Sequence, residues 1–305
     1  MKNIIFGPIP SRRFGKSLGI DLSPTIKQCN FDCVYCELKP AKPKTNYREI
    51  LPVSEILQAV REGLSEYSDI DVLTVTANGE PTLYPYLQEL VEGLDTLKGD
   101  TRLLILSNAS TIDRPEVRRA LLRFDTVKLS LDCATPRCFK RIDRPVASID
   151  LEAIQKGMID FRRDYRGALI VEILVVEGIN DKAEEIEALN RYLLRLKPDR
   201  IDLGTIDRPP AYSVRPVTYK KLRELSFLFE ATLPVHITSR QDIGNIIPSS
   251  YTDEEILHTL AKRPLTPEDI RLLFDQKSKD RLKKLLDEGE IGVLKNNGVN
   301  FYIST

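Results

Sequence analysis

Short apolar runs alternate with amphipathic stretches from residue 17 to about residue 240. The runs are rich in β-branched residues, and the stretches place apolar residues three and four positions apart, which is typical of βα units around a parallel sheet. The predicted strands span residues 18–21, 72–76, 103–107, 127–131, 169–175, 200–204 and 235–238. The predicted helices include 54–67, 84–97, 115–124, 151–164 and 182–196, with Ser54 and Asp150 as N-caps.

About six βα units at near-regular spacing predict an α/β fold, a partial (β/α)6 barrel similar to a TIM barrel. In such barrels chemistry gathers at the carboxyl ends of the strands. Polar residues follow directly on several predicted strands, so we expect them to converge on one pocket. These polar groups are residues 78–81, Ser107 with Asn108, Ser130 with Asp132, 177–181 and 205–208.

The pattern changes after residue 242, where three helices and a hairpin of residues 291–294 and 299–303 are predicted. This order divides the chain into a barrel domain, residues 1–242, and a small domain, residues 243–305, that looks like a winged helix-turn-helix. Its third helix, residues 278–288, is basic but interleaved with acidic residues. Two interpretations of this helix remain: it contacts the phosphates of RNA or DNA, or it is simply a solvent-exposed charged face.

The overall charge and composition of the chain narrow the possible classes of function. The 305 residues carry 45 basic and 45 acidic side chains, so the whole molecule has no electrostatic footprint for nucleic acid or membrane. No signal peptide or bilayer-spanning stretch is recognisable, which predicts a cytoplasmic protein without a membrane partner. With only His236 and His258, a histidine triad or histidine zinc site in the first two hundred residues is excluded.

All five cysteines are predicted to be reduced thiols, because metal binding or catalysis is more common than disulfides in this setting. Cys29, Cys33 and Cys36 are spaced so that one loop can wrap three thiolates around an iron–sulfur cubane and leave one iron open. Structural zinc needs a fourth ligand, for which Asp32 or Glu37 would have to serve. The sequence therefore favours a [4Fe–4S] cluster.

The Cys-x3-Cys-x2-Cys spacing, with the aromatic Tyr35 before the last cysteine, resembles the signature of the radical S-adenosylmethionine (SAM) superfamily. The resemblance extends over residues 7–240, because residues 78–81 stand where that superfamily has Gly-Gly-Glu-Pro. The first position is Asn78 rather than glycine. The resemblance implies a radical SAM barrel with a [4Fe–4S] cluster and S-adenosylmethionine as cofactors.

The same resemblance implies roles for residues around the cofactor. Asn78, Gly79, Glu80 and Pro81 are expected at its methionine amino group, and Arg144 either at its carboxylate or in a surface salt bridge. The expected ribose or methionine contacts are Ser107, Asn108, Ser130 and Asp132, and the residues expected at the adenine, or in ordinary core, are Tyr35 and Val175.

The chemistry that the resemblance implies is reductive cleavage of S-adenosylmethionine and abstraction of a hydrogen atom from a substrate. A flavodoxin- or ferredoxin-like protein is then the expected electron donor. A different class of function is an Fe–S redox sensor that controls the winged-helix module without catalysis. The carboxylate at Glu80 favours the enzyme, because a sensor does not need to bind the cofactor's amino group.

Residues 7–21, 130–132 and 205–210 look like a group of Fe–S oxidoreductases related to the tRNA wyosine-base synthases. Those synthases carry extra cysteines ahead of the signature, and this chain has none before Cys29. Arg12, Arg13 and Lys16, together with the C-terminal module, support the hypothesis that the substrate is a tRNA base. A small molecule or a peptide remains the alternative.

Overall fold

The computed structural model describes residues 4–11, 14–237, 248, 250–262, 264–296 and 299–305. Arg12, Arg13, the predicted boundary at residues 242–243, the predicted strand end at Thr238 and the turn residues 297–298 lie outside these ranges.

Within the described ranges, eight strands form one sheet in the order in which they occur along the chain. Strand β1 is antiparallel to β2, and β2 to β8 run parallel. The strands are β1 Ile5–Ser11, β2 Gly15–Asp21, β3 Val72–Thr76, β4 Arg102–Ser107, β5 Thr126–Ser130, β6 Ala168–Val175, β7 Arg200–Thr205 and β8 Val235–Ile237.

Helices connect the parallel strands, and a 3-10 turn at Pro81–Leu83 precedes the second helix. Right-handed crossovers between strands in sequential order place all of these helices on one face of the sheet. The helices are α1 Val53–Glu66, α2 Leu87–Leu97, α3 Pro115–Leu121, α4 Pro136–Ile142, α5 Leu151–Asp164, α6 Ala183–Leu196 and α7 Tyr219–Ser226.

Alternate strand residues build the core against these helices. Val127 and Leu129 on β5, for example, are fully buried in the main hydrophobic cluster. Burial of each such side chain contributes roughly 1.5–3 kcal/mol. The opposite face of the sheet, which we call the inner face, carries polar residues such as Lys128 and Glu172. Six βα units followed by β8 confirm the predicted partial barrel.

Three details differ from the prediction. Strand β1 was not predicted, because proline and glycine residues are uncommon within strands. Helix α1 has Pro52 as its N-cap and begins at Val53, so the prediction that Ser54 caps it is wrong and Ser54 lies inside the first turn. Helix α2 begins at Leu87, because Pro85 disfavours helical geometry at the residue before it. The Asp150 cap is confirmed, since its carboxylate accepts a hydrogen bond from Ala153 N.

The C-terminal segment has its own hydrophobic cluster around Phe274, Leu260 and Leu282. Its order of three helices and a hairpin agrees with the prediction, and a capping box at Thr266 and Asp269 starts its second helix. Tyr251 Oη donates to the Pro8 carbonyl oxygen of β1 at 3.0 Å, which joins this segment to the edge of the barrel. The elements are α8 Asp253–Lys262, α9 Pro267–Leu273, α10 Gln276–Asp287, β9 Ile291–Asn296 and β10 Val299–Ser304.

None of the helices in the described part of the chain is both long enough and apolar enough to cross a membrane.

Candidate cluster and cofactor site

The loop that carries the three signature cysteines follows β2 and is joined to the loop after β3. Gln28 N donates to Asn78 O at 2.9 Å, and Glu80 N donates to Gln28 O at 3.0 Å. Gly79 lies between these two bonds with φ +143°, and a Cβ atom there would lie 2.0 Å from Gln28 O. Only glycine permits this backbone crossing.

The other side of the cysteine loop is held by the end of α4. Val34 N donates to Ile142 O at 2.8 Å, and Asp32 N donates to Asp143 O at 3.0 Å. The buried side chain of Gln28 adds a third anchor, since its Oε1 accepts from Arg48 N at 2.6 Å. The loop is therefore placed by backbone bonds to two neighbouring elements, independently of any metal.

The three thiols are enclosed and surrounded by polar groups. Phe31 N donates to Cys29 Sγ at 3.4 Å, Lys27 Nζ donates to Cys36 Sγ at 3.5 Å, and Cys33 Sγ donates to Asp143 Oδ1 at 3.4 Å. Burial raises the pKa of Cys29 to about 12 and also raises the pKa of Cys33. Metal ions bind the thiolate, so a bound cluster must replace these protons.

The spacing of the thiols does not fit a single ion. Among the described residues, the set of three potential ligands with donor atoms within 4.8 Å of one another is Cys133, Cys138 and Glu185, and not the signature cysteines. Four thiolates around one zinc at about 2.3 Å would lie closer together than that. The wider spacing suits a cubane, whose thiolates bind different iron atoms.

Cys133 and Cys138 form a disulfide, with their Cα atoms 5.7 Å apart. The prediction of five thiols is therefore wrong for this pair. The first turn of α4, capped by Thr135, brings Cys138 back over Cys133 at the end of β5, within the usual Cα separation of a disulfide. Cys29, Cys33 and Cys36 are free, as predicted.

Glu80 is buried and organises the loops after β3 and β4. Its Oε1 accepts from Thr82 N, Thr82 Oγ1 and Ser107 Oγ at 2.9, 2.6 and 2.7 Å, and its Oε2 accepts from Asn108 N at 2.6 Å. Burial raises the pKa of Glu80, while these donors act in the opposite direction. Ser107 and Asn108, both predicted at the cofactor, thus contact the carboxylate of Glu80, which is predicted there as well.

Asn78 provides a test of whether the site fits the cofactor's amino group. Its Oδ1 is buried and has no hydrogen-bond partner among the described residues. A buried acceptor without a donor is costly, and an ammonium N–H is its natural complement. The residues present therefore fit the amino end of the methionine moiety.

A small cleft lies at the carboxyl end of β5. It is lined by Tyr35, Asn108, Ser130, Asp132 and Asp143, among others. Tyr35 Oη donates to Asp132 Oδ2 at 2.5 Å, and burial raises the pKa of Asp132 to about 7. The structure thus brings Tyr35, Ser130 and Asp132 to the same cleft.

Residues 23–192 match the family model of the Radical SAM superfamily. The chain belongs to this superfamily. It is a radical SAM enzyme that binds a [4Fe–4S] cluster and S-adenosylmethionine, as predicted. The redox-sensor alternative is thereby set aside.

The chain is also similar to curated relatives over most of its length, and its fold is similar to that of solved structures. The enzyme is 39% identical over 300 residues to a UPF0026 protein of Helicobacter pylori, covering 98% of this chain and 97% of that one. It is 33% identical to a UPF0026 protein of Methanocaldococcus jannaschii, covering 98% and 95%. The fold resembles a radical SAM methyltransferase of Sphaerobacter thermophilus, with a TM-score of 0.58, 16% identity and coverage of 74% of this chain and 67% of that chain.

Two predicted contacts of the radical SAM enzyme have other partners in the structure. The Arg144 guanidinium lies 4.5 Å from the centre of the Tyr212 ring and 3.9 Å from Asp32 Oδ2. This agrees with the salt bridge that was the alternative for Arg144. Val175 is fully buried in the main hydrophobic cluster, so it is a core residue and is not brought to the cleft.

The sequence reasoning missed Lys27 and Asp143, although both contact signature thiols. Lys27 stands two residues before Cys29, and a cation so close to the signature was an available signal. Asp143 comes from α4, more than a hundred residues away, and nothing local in the sequence connects it to Cys33.

Proposed function

We propose that this radical SAM enzyme modifies a base of tRNA, and that the C-terminal segment contacts the RNA backbone. The observation that carries the proposal is a set of lysines on α10 that lie outside the ion pairs of this segment. Arg281 and Lys284 pair with Asp253, whereas Lys277, Lys279 and Lys283 form no ion pair with any described residue. Ammonium groups of this kind are available to phosphates.

The place of the segment supports the same proposal. Tyr251 is bonded to β1, and Tyr67 Oη on the barrel donates to Glu255 Oε1 on α8 at 2.5 Å. These contacts hold the C-terminal segment, and with it the basic helix, against the barrel. Lys16, one of the three cations noted near the N-terminus, is half-buried at the start of β2, where its Nζ donates to Ser68 O at 2.9 Å.

In the proposed reaction the bound cluster and S-adenosylmethionine supply one-electron chemistry and a hydrogen-abstracting group. The residues of the chain position the cluster and the cofactor. Cys29, Cys33 and Cys36 hold the iron, while Asn78 and Glu80 orient the amino end of the cofactor. Tyr35 and Asp132, which line the small cleft at the end of β5, are proposed to lie beside the bound cofactor.

The test uses tRNA from cells that lack the gene, because this tRNA retains the unmodified base. Reconstituted enzyme should form 5′-deoxyadenosine faster with this tRNA than without it, and nucleoside analysis should find a changed base. Equal formation with and without the tRNA would refute the proposal.

A triple variant tests the role of α10. Replacing Lys277, Lys279 and Lys283 by alanine should weaken tRNA binding and reduce the slope of log K against log salt by about 2–3. A triple alanine variant of Lys182, Lys220 and Lys221, which lie on the barrel, is the matched control. Equal binding by the two variants would contradict contact through α10.

A further inference from the structure

Four charged side chains form a network on the inner face of β5, β6 and β7. Lys128 Nζ lies 2.5 Å from Glu172 Oε1 and 3.3 Å from Asp202 Oδ2. Arg200 Nε lies 3.0 Å from Asp202 Oδ1, and the Arg200 guanidinium packs 5.3 Å from the centre of the Phe14 ring. The network contains two cations and two anions, so its formal charge is zero.

The network lies at the level of the predicted cofactor contact Ser130. In the register of the sheet, Ser130 is paired with Glu172, and Glu172 is paired with Asp202. Residues paired in register on neighbouring strands point to the same face. Glu172 is also close enough to Asp132 to contribute to the raised pKa of that carboxyl. Glu172 is therefore the member of the network closest to Ser130 and Asp132, two residues that line the cleft described above.

The members of the network differ in exposure. The side chains of Lys128 and Asp202 are 10% and 1% exposed, whereas that of Glu172 is 41% exposed. Buried ion pairs are no more stabilising than well-packed apolar residues, so stability alone does not account for charges in this position. Lys128 fixes one oxygen of Glu172, and the rest of the carboxylate faces the interior of the barrel.

The residues beside Glu172 on the same face of β6 are Ile170 and Leu174. Ile170 is buried, whereas Leu174 is half-buried. An acceptor-only carboxylate beside a partly exposed apolar side chain is complementary to a ligand that carries an N–H group next to an apolar face. A nucleobase has this combination of apolar faces and donor edge.

We propose that Glu172 accepts a hydrogen bond from an N–H group of the substrate base, and that Lys128 orients it for this task. This inference rests on the proposed function, since tRNA supplies the base. The two anionic and two cationic side chains of the network already neutralise one another's charge. A neutral N–H donor therefore suits the site better than an anionic ligand. Glu172 is then the specificity-determining residue beside the cofactor.

The test compares Glu172→Gln with the wild type. In the variant Lys128 keeps its partner Asp202, so the inner face should remain folded, and iron content and circular dichroism check this. S-adenosylmethionine binding and substrate-independent formation of 5′-deoxyadenosine should stay within twofold of the wild type. Substrate-stimulated formation should fall about tenfold to a hundredfold, which is the usual effect of losing a hydrogen bond to a charged acceptor. Glu152→Gln, at an exposed position on α5, is the control.

The substrate is supplied as two fractions of cells that lack the gene, namely purified tRNA and the small-molecule filtrate. Stimulation of the wild type by the filtrate alone would refute the tRNA proposal, yet loss of that stimulation in Glu172→Gln would still support recognition by Glu172. Unchanged stimulation of the variant overturns the inference, and so does a parallel loss of cofactor binding, which would place Glu172 in the cofactor site. Absence of stimulation by both fractions also overturns it, because such cells must accumulate the substrate.

Discussion

Replacing Glu80 by glutamine separates a structural role of this carboxylate from a role in cofactor binding. In the structure both oxygens accept hydrogen bonds from the protein, and the donors come from the loops after β3 and β4. We therefore expect Glu80→Gln to lower the stability of the enzyme even when neither the cluster nor S-adenosylmethionine is present.

The magnitude follows from the bonds. A glutamine oxygen can replace Oε1, but its amide nitrogen then faces Asn108 N, which leaves a buried donor without an acceptor. Such a donor costs about 1–3 kcal/mol, and relief of the desolvation that raises the pKa of Glu80 offsets only part of the lost charged bonds. We expect a net loss of about 1–3 kcal/mol. For a chain of this size this corresponds to a fall in Tm of roughly 2–5 °C.

The assay is differential scanning calorimetry of apo-protein in the absence of added cofactor. Glu187→Gln, at an exposed position on α6, is the control and should leave Tm within about 1 °C. If Glu80→Gln unfolds at the wild-type temperature while losing cofactor binding, the carboxylate acts only as a ligand and the structural reasoning is wrong.

Three further predictions follow from the same region. Gly79→Ala should prevent iron incorporation, because its Cβ would meet Gln28 O; Gly99→Ala, also at positive φ but with open space around it, should incorporate iron normally. Thiol titration of unfolded apo-protein without reductant should find three thiols, since Cys133 and Cys138 are joined, and five would contradict the disulfide. Removing the cluster with a chelator should leave the far-ultraviolet circular dichroism unchanged, because backbone bonds hold the cysteine loop.

Local patterns were sufficient to predict the barrel. The apolar runs of β3 to β7 were found within one or two residues, because buried parallel strands depend on their own side chains. Strand β1 was missed, since its pairing with β2 is a tertiary property that the proline-rich segment does not reveal. The Ser54 cap failed for a local reason: helix α1 begins at Val53, two residues earlier than a cap at Ser54 requires.

The site was predictable where a motif fixes both residue type and spacing. The signature cysteines and Glu80 are of this kind. Lys128 and Glu172 escaped notice because each is the only charged residue of its strand. Only the register of three strands brings their charges together with that of Asp202. Asp143 was missed for the same reason, since its contact with Cys33 depends on the packing of α4.

The backbone crossing at Gly79 has a consequence for protein engineering. Because the iron-holding segment and the methionine pocket are joined at one tight contact, neither can be transplanted into a foreign scaffold without the other. Moving only the cysteine-bearing loop would leave out the backbone segment that it contacts. The recipient barrel would also need a glycine after the neighbouring strand, at the position equivalent to Gly79.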